Sequence, residues 1–388
     1  MTAAAPAFFR SRWVGPPEGV QELDSASLAP GFRAAAVSCG LKADGGLDVG
    51  LLACESRVVR SALLLTRNAA AAAPVRVCRE ECDGEAIRGT VVTSGNANAA
   101  TGERGRRDAI AVRDAAAAGL GLDPPAVAIA QTGTIGVPLP VDDVLAGIAQ
   151  AVGELTADGG GAFSEAIMTT DRGPKRCTVS AGGVTLSAQA KGAGMIEPGF
   201  ATMLCFVQTD AVVADAAGAL REAVAGSFER ITVDGQMSTN DTVLLQATGT
   251  AGVPLRDGLL DAVLLQLALE IVADGEGATR VGRIEVAEAA TDAEAERVAR
   301  AIANSPLVKT ALHGRDPNWG RVAQAAGMAL AGERIPQLDA DAIDAAQLAG
   351  DDAEADLLVR LARGDAATTV YFSDLSPEYV ELNSEYTT

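Results

Sequence analysis

Histidine occurs once in the 388 residues, at His313, and this scarcity removes much hydrolytic and metal chemistry. A Ser-His-Asp or Cys-His mechanism could draw only on that residue, and a histidine-rich metal centre is excluded. Aromatic residues make up 3% of the chain, so the core has to be filled by Ala, Val, Leu and Ile. Cations are also short: 31 Lys and Arg stand against 51 Asp and Glu, a formal charge of -20. Nucleic acid is not the expected partner, because its phosphates need clustered Lys and Arg. No window reaches the roughly eighteen uncharged apolar residues of a membrane-crossing helix, and "MTAAAPAFFRSRW" has no long apolar run before Arg10. A soluble cytoplasmic protein with no membrane partner is expected. The six cysteines do not make a disulfide framework in so long a chain, and Cys78 and Cys82 have a CxxxC spacing that fits zinc poorly, so no metal is expected.

What is present points to an α/β protein. An apolar fraction of 48% with 42 glycines is globular, and the length suggests two or three domains. The segments "FRAAAVSCGLK", "LDVGLLACE", "SALLLTR", "APVRVC" and "IRGTVVTSG" read as successive strands. Helices follow, from Glu103 to Leu120 and after Pro140, where Asp142 and Asp143 sit in the first turn and favour the helix dipole. Further on come a helix over Asp215 to Phe228, a strand over Thr242 to Ala247 and a helix over Leu255 to Ala273. A second unit opens near Val281 with the strand "VGRIEVAEA". It continues with a helix capped by Thr291 and Glu294, a strand "PLVKTAL" and a helix from Trp319. From about residue 333 to 370 few strands are legible.

Five stretches could carry chemistry. The loop "KGAGMIEPG" (191 to 199) has the lysine and glycines of a phosphate loop in the wrong order, since neither GxxxxGK[ST] nor GxGxxG is met. Its glycines and Pro198 instead suit a sharp turn just before Ala201-Thr202. A hydroxyl placed there can attack its own preceding carbonyl in an N-to-O acyl shift, and hydrolysis then frees a new N-terminal threonine. The α-amine of such a residue titrates near 7.7 to 8, so it can serve as base to its own hydroxyl. Thr202 is therefore either a satisfied hydroxyl in a buried strand or a nucleophile.

The stretch "AQTGTIG" (130 to 136) is either an ordinary turn after the run "AVAIA" or a place where Gly133 N–H and Thr132 Oγ face an oxyanion. "SGNANAATG" and "VDGQMSTNDT" are loops of small polar residues, suited to a zwitterionic or acyl-amide ligand. "HGRDPNWGR" (313 to 321) is either a turn anchored by Trp319 or a functional cluster around the sole histidine.

Taken in order, "SGNANAATG", "TGTIG", "AIMTTD", "KGAGMIEPGFATML", "GQMSTNDTVLL", "DGEGATR", "NSPLVKTALHGRDPNWGRV" and "NSEYTT" resemble the motifs of the ornithine acetyltransferase family, the bifunctional ArgJ proteins of arginine biosynthesis. The resemblance spans nearly the whole chain. It implies an αββα sandwich over residues 1–281, built from both products of self-cleavage, and a smaller α/β domain over 282–388. Cleavage between Ala201 and Thr202 would give an α chain of 1–201 and a β chain of 202–388, assembled as an α2β2 heterotetramer.

The resemblance further implies that Thr202 takes acetyl from N-acetylornithine and passes it to glutamate in a ping-pong cycle. Thr132 and Gly133 would form the oxyanion hole. Thr169, Lys191, Thr202, Glu276, Asn383 and Thr388 would contact substrate. No cofactor is implied; acetyl-CoA would enter only as a second acetyl donor. Two departures stand out: Gly199-Phe200 precedes Ala-Thr where a polar-then-aliphatic pair is commoner, and Thr134 replaces a commoner aliphatic residue. Water in place of glutamate would make the same centre an amidase or aminopeptidase. A different acceptor would make it an acyltransferase of a specialised pathway, and an uncleaved chain a scaffold.

Overall fold

Every residue of the strand Leu204–Thr209 is buried, which happens when both faces of a sheet are covered. In this computed structural model, which describes residues 7–197, 203–334 and 338–385, the strand's alternate side chains enter two different cores. Cys205 and Val207 pack with the helices Ala216–Ala225 and Leu259–Ala273. Leu204 and Phe206 point the other way, into a core shared with a second sheet and with the helices Ala73–Glu81, Gly102–Leu120 and Val141–Gly153. Phe163 of the short helix Gly160–Ala166 meets Phe206 edge to face there, with ring centroids 5.4 Å apart.

The sheet holding Leu204–Thr209 has six strands, in the order Gln21–Glu22, Lys175–Ala181, Val184–Lys191, Leu204–Thr209, Thr242–Ala247, Arg60–Leu65. Leu204–Thr209 runs antiparallel to Val184–Lys191 and parallel to Thr242–Ala247. The register sets Lys191 opposite Leu204, two residues beyond Thr202. The second sheet has four strands, Phe32–Val37, Val49–Cys54, Gly89–Asn96 and Val127–Thr134, the last two parallel. Ser94 lies opposite Thr132 and Gly95 opposite Gly133, with an irregularity at Asn96.

A third sheet of five strands, Ile231–Thr232, Ala366–Ser373, Val281–Ala289, Glu354–Arg360 and Ile343–Asp344, packs with the helices Asp292–Ala303, Pro306–His313 and Trp319–Ala329 around its own core. Thr291 caps the first of these helices by accepting from Glu294 N–H at 3.1 Å, while Glu294 Oε2 reaches back to Ala290 N–H.

Several expectations are corrected. "APVRVC" is helical, with Pro74 in the first turn, where its missing N–H costs nothing. "PLVKTAL" is the helix Pro306–His313, again with proline first and with Ser305 Oγ accepting from Val308 N–H. The stretch 333 to 370 contains the strand Glu354–Arg360 and the start of Ala366–Ser373. The helix expected from Leu255 begins at Leu259, and the one expected over Asp215 to Phe228 spans Ala216–Ala225. Among the described residues no helix is long and apolar enough to cross a membrane.

Candidate functional site

Lys191 ends its strand at the edge where the two inner sheets meet, and its buried ammonium joins two hydroxyls. Nζ donates to Thr132 Oγ1 at 3.3 Å and to Thr169 Oγ1 at 2.8 Å. Because Thr132 accepts from lysine, its own hydroxyl proton is free to donate elsewhere. Burial lowers the Lys191 pKa, and the Asp171 carboxylate is the largest opposing influence.

Gly133, the next residue, has φ +127°, and a Cβ there would stand 2.3 Å from the Gly95 carbonyl carbon. Only glycine allows the two strands to approach this closely while the backbone turns. The Thr132-Gly133 step thus lies at the end of the strand Val127–Thr134, bent against Gly95 and Asn96.

Glu276 follows the helix Leu259–Ala273, and its backbone N–H donates to Ala193 O at 2.9 Å, fastening it to the loop after Lys191. Its carboxylate accepts from Thr170 Oγ1 on one oxygen and from Asn383 Nδ2 on the other, both at 2.8 Å. Gly194 lies so near that a Cβ would sit 2.7 Å from Oε1. Asn383 belongs to the helix Pro377–Glu385. The end of the chain is therefore folded back onto Glu276 through residue 385.

Of the residues singled out from sequence, Thr132, Gly133, Thr169 and Lys191 converge directly, and Glu276 with Asn383 reaches the same place through Thr170 and the 192–194 loop. Ala201, Thr202 and Thr388 lie outside the described residues. The flanking residue Met203 donates its N–H to Asp241 Oδ1 at 3.1 Å. Burial pushes the Asp241 carboxyl well up, against the opposing pull of the Met203 N–H and of the Lys191 cation.

The polar loops are bonded to one another. Asn240 Nδ2 donates to Ala97 O at 2.7 Å and to Gln131 O at 2.8 Å, and Asn98 Nδ2 donates to Gln131 Oε1 at 2.9 Å. These amides stitch the three loops together next to Thr132. Asp234 similarly holds the loop after Lys191, accepting from Met195 N–H at 2.6 Å and Ile196 N–H at 2.9 Å. His313 Nδ1 donates to Asp374 Oδ2 at 2.8 Å.

Sequence reasoning missed Thr170, Asp171, Lys175, Asp241 and Asp274. Thr170 and Asp171 stood inside the quoted "AIMTTD" and Asp241 inside "VDGQMSTNDT", but Lys175 had no local signal, and only the fold brings it to Asp171 and Asp274.

Two hydroxyls on a buried cation, a glycine-bent peptide beside them and a carboxylate tied to the same loop form one polar cluster in a mixed α/β protein. The ArgJ family pattern matches residues 33–388, and the chain belongs to the ArgJ family. It is 43% identical to the arginine biosynthesis bifunctional protein ArgJ of Geobacter sulfurreducens over 390 residues, covering 92% of this chain and 99% of that protein. The namesake from Thermus thermophilus is 42% identical over 93% of this chain and 99% of its own length. Among solved structures, ornithine acetyltransferase from Mycobacterium tuberculosis complexed with ornithine is 38% identical, covering 46% of this chain and 98% of that chain, with a TM-score of 0.44.

Proposed function

We propose that the chain is a glutamate N-acetyltransferase that moves acetyl from N2-acetylornithine to glutamate, in arginine biosynthesis. Its nucleophile is Thr202, freed by self-cleavage after Ala201. The observation that carries this reading is the Lys191 ammonium held between the Thr132 and Thr169 hydroxyls, at the strand end opposite Leu204.

The Thr202 α-amine takes the proton of its own hydroxyl, and Oγ attacks the acetyl carbonyl. Negative charge develops on the carbonyl oxygen, where Gly133 N–H and the free Thr132 hydroxyl proton are the donors. Collapse breaks the amide bond and the proton passes to the departing ornithine amine. The amine of glutamate then attacks the acetyl-threonine ester through the same donors, which restores Thr202 and releases N-acetylglutamate. Lys191 and Thr169 would take the substrate carboxylate; Glu276, with Asn383 and Thr388, would take the ornithine ammonium.

No cofactor enters these steps, and acetyl-CoA, if used, is a substrate. The two inner sheets with helices on their outer faces support an αββα sandwich over residues 1–281. The separate core running from Ile284 to Phe372 supports a smaller unit over 282–388. The working form is an α2β2 heterotetramer in the cytoplasm. Replacement of Thr202 by alanine tests the reading: the variant should stay one full-length band in denaturing electrophoresis and transfer no acetyl, while the parent gives two fragments. A parent that remains one band, or a variant that keeps its activity, contradicts it.

A further inference from the structure

Asp171, Lys175 and Asp274 form an ion cluster that the acetyl-transfer steps do not use. Lys175 Nζ donates to Asp171 Oδ1 at 2.7 Å and to Asp274 Oδ2 at 2.5 Å. The side chains of Asp171, Lys175 and Asp274 are 0%, 4% and 16% exposed. Charges so poorly hydrated are costly unless their remaining hydrogen-bond positions are filled. Here peptide groups of the site fill them: Asp171 Oδ1 also accepts from Gly192 N–H at 2.7 Å, and Oδ2 accepts from Thr169 N–H at 3.1 Å. Gly192 follows Lys191, so one carboxylate holds the backbone of both residues proposed to take the substrate carboxylate. Asp274 stands two residues before Glu276, and Arg172 braces it from outside, donating Nε to Oδ1 at 2.9 Å.

We propose that Asp171, Lys175 and Asp274 are positioning residues that fix the separation between the Thr169–Lys191 end and the Glu276 end of the substrate site, and so the length of side chain the site accepts. This rests on the acetyl-transfer reading of the same site. Removing the Lys175 bridge leaves the turn carrying Glu276 tied through Arg172 and the Ala193 carbonyl, and so looser relative to Lys191, without removing any group that touches substrate. Asp171 has a second effect. The charged groups acting on buried Lys191 are Asp171, Asp241 and Glu276, which favour the ammonium, and Lys175, which opposes it. Loss of the Asp171 charge removes the largest influence that opposes burial, leaving Asp241 and Glu276 alone to favour the ammonium, and the Lys191 proton is given up at lower pH.

The test is steady-state kinetics of the self-cleaved full-length protein, as parent, Asp171→Asn, Lys175→Met, Lys175→Arg and Asp274→Asn, with N-acetylornithine and its one-methylene-shorter homologue. In Asp171→Asn the alkaline limit of kcat/KM is expected about one pH unit lower. In Lys175→Met the KM for N-acetylornithine is expected to rise roughly tenfold with kcat within about threefold, and the preference for N-acetylornithine over the shorter homologue to fall. Lys175→Arg should recover much of that KM.

A merely structural role would lower the active fraction and leave pH limit, KM and preference in place, and that result overturns the proposal. If Asp171→Asn or Lys175→Met does not fold, Asp274→Asn on the most exposed arm decides: a raised KM supports the proposal and an unchanged one overturns it. A parent that transfers no acetyl defeats the functional reading instead. Positioning is then read from hydrogen exchange at the Thr169 and Gly192 amides, which must quicken in Asp171→Asn or, should that not fold, in Asp274→Asn.

Discussion

Thr132 and Gly133 are adjacent in sequence but fail differently when changed. Thr132→Val keeps the side-chain volume and removes only the hydroxyl, so kcat for acetyl transfer is expected to drop roughly 10²- to 10³-fold with KM little moved, as measured by initial rates. Gly133→Ala places a methyl 2.3 Å from the Gly95 backbone and strains a φ of +127°, so the expected loss is of the folded strand end. A thermal scan should show a lower midpoint in that variant alone. Asp171 makes a further prediction at this scale. Burial alone would raise its carboxyl, but Lys191, Lys175 and the Gly192 N–H together hold it down at about 2, against an ordinary 3.8. Its stabilisation of the folded state is complete above the ordinary value and is lost as pH falls through about 2. The difference corresponds to about 2 kcal/mol. Urea titrations between about pH 2 and 5 should therefore show a flatter acid limb for Asp171→Asn than for the parent. Equal slopes would contradict the assignment.

The elements read correctly from sequence were those whose apolar residues had one solution. Phe32–Val37, Val49–Cys54, Arg60–Leu65 and Gly89–Asn96 are runs too short for helices and bounded by turn residues. Val75 and Val77 in "APVRVC" imitate strand alternation while lying on the buried side of a helix, and "PLVKTAL" has the same ambiguity. Proline in the first turn of each was the signal that could have settled both. For the site, Gly133 and Lys191 stood in recognisable motifs, whereas the contact of Lys175 with Asp274 is long-range and left no local trace. The helix Pro377–Glu385 buries none of its residues, so it contributes little to stability, yet its Asn383 bonds Glu276. Deleting residues 379–388 is expected to move the thermal midpoint by only a few degrees and to raise the KM for N-acetylornithine at least tenfold. Calorimetry with initial rates checks both.

Across the whole molecule, the six-stranded sheet is what would let the chain stay folded after the proposed cut. Strands on both sides of the 201–202 bond, Val184–Lys191 and Leu204–Thr209, pair directly with each other over Leu186 to Lys191, and their side chains fill two cores at once. A chain cut at 201–202, as proposed, would leave its fragments joined by ladder hydrogen bonds and by buried apolar area, with no disulfide needed to hold them. Fragments 1–201 and 202–388 are therefore expected to elute as one species on size exclusion and to separate only in denaturant. The most direct test of the central claim is release of ornithine from N-acetylornithine with and without glutamate. Acetyl transfer predicts that glutamate raises the rate, with one N-acetylglutamate formed for each ornithine released. Equal rates with and without glutamate, and no N-acetylglutamate, would contradict it and leave a hydrolase in its place.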